Sequence, residues 1–319
     1  MRTSCVIIIF LISHTLILAQ SDWEIINTNI TEHLHDIEFI NDSVGYMYSY
    51  GTGSIYQSKD EGYTWTIIKQ TDSIYFEQIQ FVNSDLGWIC GEQGKILKTY
   101  DGGKTWSDMS IIVKDKNLLL YGMCFINDTI GYVSGAEMGS GKLIPKTYRT
   151  LNGGISWKGI YDDIPGMILN LTKKENDLFA SGNGFIIKIN TVSHIWEYVF
   201  KDTSAIIGQI RDLRFASDQF GVATSFKGKI LISNNRGNSF TYKEITRNRL
   251  RSIAYLGEKR WMVVGDNNKN EDAVIHISND NGESWEKVSD FPDIHRIHLT
   301  KKTIWIVGKN GFIAKSKQY

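Results

Sequence analysis

Hydrophobic residues in this chain fall in short runs broken by Gly, Asn, Asp and Ser, and the same order of runs and breaks recurs along its length. The stretch from Ile79 to Trp106 displays the order most plainly. Ile79-Gln80-Phe81 reads as a short strand, and Asn83-Ser84-Asp85-Leu86-Gly87 as a turn of residues that tolerate tight backbone geometry. Trp88-Ile89-Cys90 is a second strand, Gly91-Glu92-Gln93-Gly94 a hairpin turn, and Lys95 to Thr99 a third strand. The octet Thr99-Tyr100-Asp101-Gly102-Gly103-Lys104-Thr105-Trp106 turns the chain into a fourth strand that starts at Trp106. Runs this short, separated by turn residues, predict an all-β chain.

The octet has the form hydroxyl, x, Asp, x, Gly, x, hydroxyl, Trp. It recurs from Ser58 to Trp65 around Asp60 and from Ser278 to Trp285 around Asp280. Thr150 to Trp157 carries Asn152 in the Asp place, and Ser233 to Phe240 carries Asn235 and ends in Phe. In a fourth unit the polar members are gone: Ile189, Thr191, Ser193 and Ile195 stand in their places, and only Trp196 remains. The closing aromatics Trp65, Trp106, Trp157, Trp196, Phe240 and Trp285 lie 41, 51, 39, 44 and 45 residues apart. That period suits four strands and three turns, one blade of a propeller. Within the octet, an Asp or Asn oxygen accepts N–H bonds of its own turn, and Gly supplies positive φ. The ring of the Trp is worth about 1.5–3 kcal/mol if fully buried. Turn chemistry accounts for every one of these residues, so the boxes are expected to be structural.

Only three strands follow Trp285's own blade: Arg296 to Leu299, Thr303 to Val307 and Phe312 to Lys315. The missing fourth is found at the other end, where Asp22-Trp23-Glu24-Ile25-Ile26 resembles Thr64-Trp65-Thr66-Ile67-Ile68 and Trp23 precedes Trp65 by 42 residues. The expected fold is therefore a seven-bladed β-propeller, its last blade closed 3+1 by the N-terminal strand, with residues 21–319 as one domain. Closure of this kind covers strand edges that would otherwise aggregate.

Composition narrows the function classes. The formal charge is zero, with 35 basic and 35 acidic residues, which leaves no electrostatic reason to propose nucleic acid or an anionic membrane surface. Membrane association is expected only indirectly. Met1-Arg2, the apolar run Val6 to Ile12 and Leu16-Ile17-Leu18-Ala19 have the layout of a secretory signal peptide over residues 1–20, cleaved near Ala19 or Gln20. The mature protein is expected to be secreted or periplasmic. Cys5 would leave with the leader, so that Cys90 and Cys124 remain, on strands of neighbouring blades; a bridge is permitted, buried thiols are the commoner outcome. Sequons at Asn29, Asn41, Asn127 and Asn170 matter only in a glycosylating host.

In a propeller the first strand of each blade lines the central channel, and function is sought where blades differ. Aligning the first strands puts His35, Glu77, Tyr121, Met167, Arg211, Arg251 and His295 in one ring at the channel mouth, with Arg296 next. The two longest hairpin loops, 135–149 and 265–273, share that face. Arginine at several points suits an anionic group, because the guanidinium fork pairs with oxyanions bidentately. Local salt bridges are the plainer explanation of the same charges. His33, His35, His295 and His298 could approach one another around the closed ring, yet no compact ligand motif supports a metal, and none is expected. No cofactor is expected either.

The run Phe81 to Trp106, with its Phe-x-Asn, Gly-Trp, Gly-x-x-Gly and Thr-x-Asp-Gly-Gly-x-Thr-Trp elements, resembles a unit of the photosystem II stability/assembly factor-like family of Asp-box (bacterial neuraminidase repeat) β-propellers. The resemblance covers the mature chain, more weakly in the fourth and last units. It implies seven blades and a non-catalytic role in binding or assembling proteins, with Arg211, Arg214 and Arg251 as loose counterparts of an arginine-rich patch in photosynthetic members. It does not carry photosystem biogenesis with it. The rival is a sialidase-like glycoside hydrolase or glycan-binding propeller, which needs an arginine triad, an early Arg-Ile-Pro and a Tyr–Glu nucleophile pair. No arginine lies between Arg2 and Arg149, the nearest tripeptide is Leu143-Ile144-Pro145, and Tyr121 with Glu77 would have to serve as the pair. The expected function is an exported module that binds a protein or glycan partner through an anionic group. Replacing Arg211 and Arg251 together by Ala is expected to abolish partner capture and leave folding intact.

Overall fold

The computed structural model describes residues 22–71, 74–113, 117–139, 141–160, 164, 166–193, 195–266 and 273–317. The leader expected over residues 1–20 lies outside them. Seven four-stranded antiparallel sheets make up the described chain, each wound outward from an inner strand. The inner strands are His33–Phe39, Phe76–Phe81, Asn117–Phe125, Ile168–Lys174, Ile210–Phe215, Arg249–Gly257 and Ile294–Leu299, in blades one to seven. The last sheet takes its outer strand, Trp23–Ile25, from the N-terminus, pairing Trp23 with Ser316, Glu24 with Lys315 and Ile25 with Ala314. The 3+1 closure expected from Trp23 is the closure observed.

Burial explains why second and third strands read as continuous apolar runs and outer strands do not. Gly87–Gly91 is buried at every position, whereas Thr241–Glu244 is exposed at every position. The core lies between neighbouring sheets: Val222 and Ile230 of blade five pack with Leu250, Ile253, Trp261 and Val263 of blade six. Blade four, which lost its box, keeps all four strands, with Trp196–Lys201 outermost.

The boxes are self-contained hydrogen-bonded turns. Thr99 Oγ1 donates to Asp101 Oδ1 (2.9 Å) and accepts from Gly103 N (2.7 Å), while the Asp101 carboxylate accepts from Thr105 N (2.8 Å) and Thr105 Oγ1 (2.7 Å). Gly103 sits at φ +79°, and a Cβ there would lie 2.5 Å from the Tyr46 ring of the preceding blade. Each box therefore serves as a joint as well as a turn. The closing tryptophans are half-buried, not fully buried, and Trp65, Trp106 and Trp285 donate Nε1–H to the glycine carbonyl of their own box. Full burial belongs instead to Trp88 and Trp261 on second strands.

The 135–149 segment is mostly strand and not a loop: Gly131–Gly139 and Lys142–Thr150 pair out to Gly139 and Lys142. Of 265–273, residues 267–272 lie outside the described set. Cys90 and Cys124 are both buried free thiols.

Candidate functional site

Every inner strand breaks register at the same height, and Arg249–Gly257 does so a second time, between Tyr255 and Gly257. The unpaired residue is His35, Glu77, Tyr121, Leu169, Arg211, Arg251 or His295 in blades one to seven. A bulge leaves one residue outside the ladder and re-aims its side chain, here toward the axis. The small residue opposite each bulge makes room for it. Gly135 and Gly308 are two of these; a Cβ would come within 1.7 Å of Leu119 O and 1.9 Å of Asp293 O. The fourth member of the ring is Leu169 and not Met167, because the register shift in blade four falls between Ile168 and Asn170. Blade four thus contributes an apolar side chain to a ring that is otherwise polar.

The ring residues His35, Glu77, Tyr121, Arg211, Arg251 and His295, with Arg296 one step below, line one cavity of about 40 Å³. That is room for a few waters or a carboxylate-sized group. The residues just past the bulges tie the blades together. Asp36 accepts from Ile79 N (3.4 Å), Gln78 from Met123 N (2.8 Å), and Asp212 from Ser252 Oγ (2.9 Å) and Ile253 N (3.2 Å). Asn170, the buried sequon residue, belongs to the same layer. Sequence reading missed this layer, though polar residues recurring directly after the ring position in every blade but the third, which has Gly122, were its signal.

The arginines differ in what they have left to give. Arg251 spends Nε and Nη2 on Asp266, at 2.8 and 2.9 Å. Arg296 sits between Asp36 (2.9 Å) and Asp212 (3.6 Å), and those acids hold it above its ordinary range against the cost of burial. Arg214 pairs with Asp212 at 3.1 Å. Arg211 makes no hydrogen bond among the described residues. Its guanidinium lies 5.1 Å from the Phe226 ring, shared with Arg249 and Arg251, and its Nη2 is 3.8 Å from Glu77.

His35 and His295 are held in the neutral form. Burial holds His35 well below 6.5, helped by His295 and by Arg211, Arg251 and Arg296. Burial and Arg251 push His295 down to about 4. His295 Nδ1 lies 2.9 Å from Leu34 O, which can only accept, so Nε2 carries a lone pair, and it has no donor partner. His298 Nε2 accepts from Phe39 N and His33 Nδ1 from Asn310 N, so the four histidines do not converge. Among the described residues no three His, Cys, Asp or Glu side chains are placed to hold a metal.

The glycosidase arrangement does not assemble. Arg251 and Arg296 are committed to internal carboxylates, which leaves one arginine where a triad is required. Tyr121 and Glu77 do line the same cavity, but burial raises the Tyr121 hydroxyl and Glu77 raises it further, the reverse of nucleophile activation.

A profile of the family described as "Photosynthesis system II assembly factor YCF48" matches residues 16–317. A Photosystem II assembly lipoprotein Ycf48 from Synechococcus sp. (strain CC9902) is 28% identical over 220 residues, covering 66% of this chain and 61% of that protein's length. The Picosynechococcus sp. (strain ATCC 27264 / PCC 7002 / PR-6) protein of the same name is 24% identical over 272 residues, 79% of this chain and 75% of its own. Among solved structures, one described as YCF48 bound to D1 peptide aligns with a TM-score of 0.71 at 20% identity, over 93% of this chain and 97% of that one. A virginiamycin B lyase from Staphylococcus aureus reaches 0.70 at 16% identity, over 92% and 98%. An assembly factor and a lyase fit equally well, so the architecture alone carries no chemistry. The sequence profile does discriminate, and by it this chain belongs to the YCF48 photosynthesis system II assembly factor family.

Proposed function

We propose that this protein is a non-catalytic binding and assembly module whose channel mouth takes an acidic group of a peptide partner, with Arg211 as the anchor. The carrying observation is that Arg211, 18% exposed and lining the cavity, has a full set of N–H donors and no hydrogen-bonded acceptor among the described residues. A guanidinium in that state binds an incoming carboxylate without first breaking an internal pair. A peptide is the favoured partner class because a relative of the same fold is described as bound to one. A sugar ring is disfavoured by a cavity of about 40 Å³. Photosystem biogenesis is not carried over. The relatives are named lipoproteins, and with the leader-like residues 1–20 this supports work at the envelope, outside the cytoplasm.

Arg251 is not an equivalent anchor: Arg251→Ala would strand buried Asp266 and so would not leave folding intact. The clean test is Arg211→Gln in a pull-down from the native envelope fraction. Capture should fall at least ten-fold with an unchanged melting curve; undiminished capture overturns the assignment.

A further inference from the structure

A carboxylate already occupies the place beside Arg211. Glu77, on the bulge of blade two, lies 3.8 Å from Arg211 Nη2 and 4.0 Å from His35 Nε2, with only 10% of its side chain exposed. Both separations exceed hydrogen-bond distance. Asp266 and Asp36, by contrast, hold their arginines at 2.8 and 2.9 Å. Glu77 is thus a loosely held internal counter-ion facing a ring guanidinium that has no hydrogen-bonded acceptor among the described residues. We propose that the mouth is a carboxylate site that takes up one proton with its ligand, Glu77 being the acid that receives it. This rests on the reading of the mouth as the partner-binding face.

The reason is crowding of like charge. A ligand carboxylate paired with Arg211 enters the same cavity of about 40 Å³ that Glu77 lines, and two carboxylates sharing so small a space do not both stay ionised. The balance is simple: ligand carboxylate and a solvent proton enter, and Glu77 leaves its ion pair as a neutral carboxyl. No covalent bond is made to the ligand. Neutral Glu77 becomes a donor in the cavity, one of whose lining residues, His295, carries a buried acceptor Nε2 without a partner. Burial already pushes Glu77 up to about 7; Arg211 and Arg251 oppose this and Glu92 adds to it. Ligand charge raises it further, so affinity is full below about pH 7 and declines above it.

Of the other groups lining the cavity, Asp36 is raised by burial against its ion pair with Arg296, while the histidines, tyrosines and Cys90 stay silent in this range. His35 on its neighbouring inner strand is held well below 6.5 and His295 at about 4, both neutral. Burial raises Tyr48, Tyr50, Tyr121 and Cys90 above their usual values, Arg211 is lowered by burial from a value far above this range, and Arg251 is tied to Asp266. Glu92, on the turn after the second strand, is raised by burial and serves as the control position.

The test is a titration of the full mature chain with acetate, which stays ionised throughout, followed by side-chain NMR of the arginines at pH 6.0, 7.0 and 8.5. Binding should weaken about thirty-fold from pH 6.0 to 8.5 if ligand holds the Glu77 proton throughout. Glu77→Gln should bind at every pH at least as tightly as wild type does at 6.0, and Glu92→Gln should keep the dependence. A flat wild-type profile with binding abolished by Arg211→Gln overturns the proton linkage and leaves the anion site standing. An unchanged slope in Glu77→Gln also overturns it. Acetate that ignores Arg211, with partner capture still dependent on it, overturns the carboxylate class. If capture ignores Arg211 too, the underlying reading fails.

Discussion

Trp23 carries the ring closure, and removing its side chain measures what that closure is worth. The residue is 4% exposed, lies edge-on to Phe291 at 5.9 Å between centroids, and packs in one cluster with Ile294, Ile304 and Ala314. Truncating a buried Trp to Ala costs about 3–5 kcal/mol. Its Nε1 is buried without an acceptor, so deletion also removes a desolvated donor and returns about 1 kcal/mol. The expected net loss for Trp23→Ala is about 2–4 kcal/mol, a fall in Tm of about 3–6 °C at this chain size. Trp23→Phe keeps most of the packing and removes the stranded N–H, and should stay within about 1 kcal/mol of wild type. Ile25→Ala, on the same strand but half exposed, should change little. Deleting residues 22–29 should be worse than any of these, because it uncovers the edge of Ile313–Ser316 as well. Thermal melts by circular dichroism with urea titrations give the ranking. If Trp23→Ala and the deletion both melt within a degree of wild type, the N-terminal strand does not hold the ring.

Two further predictions concern the parts that shape the mouth and the boxes. Gly135→Ala places a Cβ 1.7 Å from Leu119 O, one residue before the bulge pair, and should cost about 1–3 kcal/mol by urea titration while shifting the Tyr121 resonances. Asp60 and Asp280 are held below their ordinary 3.8, Asp60 mainly by the Thr64 hydroxyl and Asp280, against the opposing effect of burial, by the combined hydrogen bonds of Ser284 and Ser278. A depressed carboxyl contributes fully above its unfolded pKa and loses that contribution as pH falls through the lower folded value. Tm should therefore fall with acid below about pH 4, less steeply in an Asp60→Asn, Asp280→Asn variant; parallel curves would sink the argument.

The blade count was legible because the signal is local. A box closes on itself over four residues, as when Asp101 accepts from Thr105, so its spacing survives in the sequence without reference to anything distant. Trp23 was legible for the same reason, as a fourth-strand start lacking its own blade. The height of the ring was legible in six blades. It slipped in the fourth, where Leu169 replaces Met167, because no residue type marks a bulge and the degenerate box left the alignment without an anchor. What no stretch of sequence contains is the partnering of the charges. Asp36 and Asp212 reach Arg296 only once the chain has come full circle, whereas Arg251 finds Asp266 within its own blade. The sequence determined that arginines would gather at the mouth. Only the closed ring decided that Arg211 is left without a hydrogen-bonded acceptor among the described residues, because which charges neutralise each other depends on distances across the channel, and those exist only when all seven blades are in place.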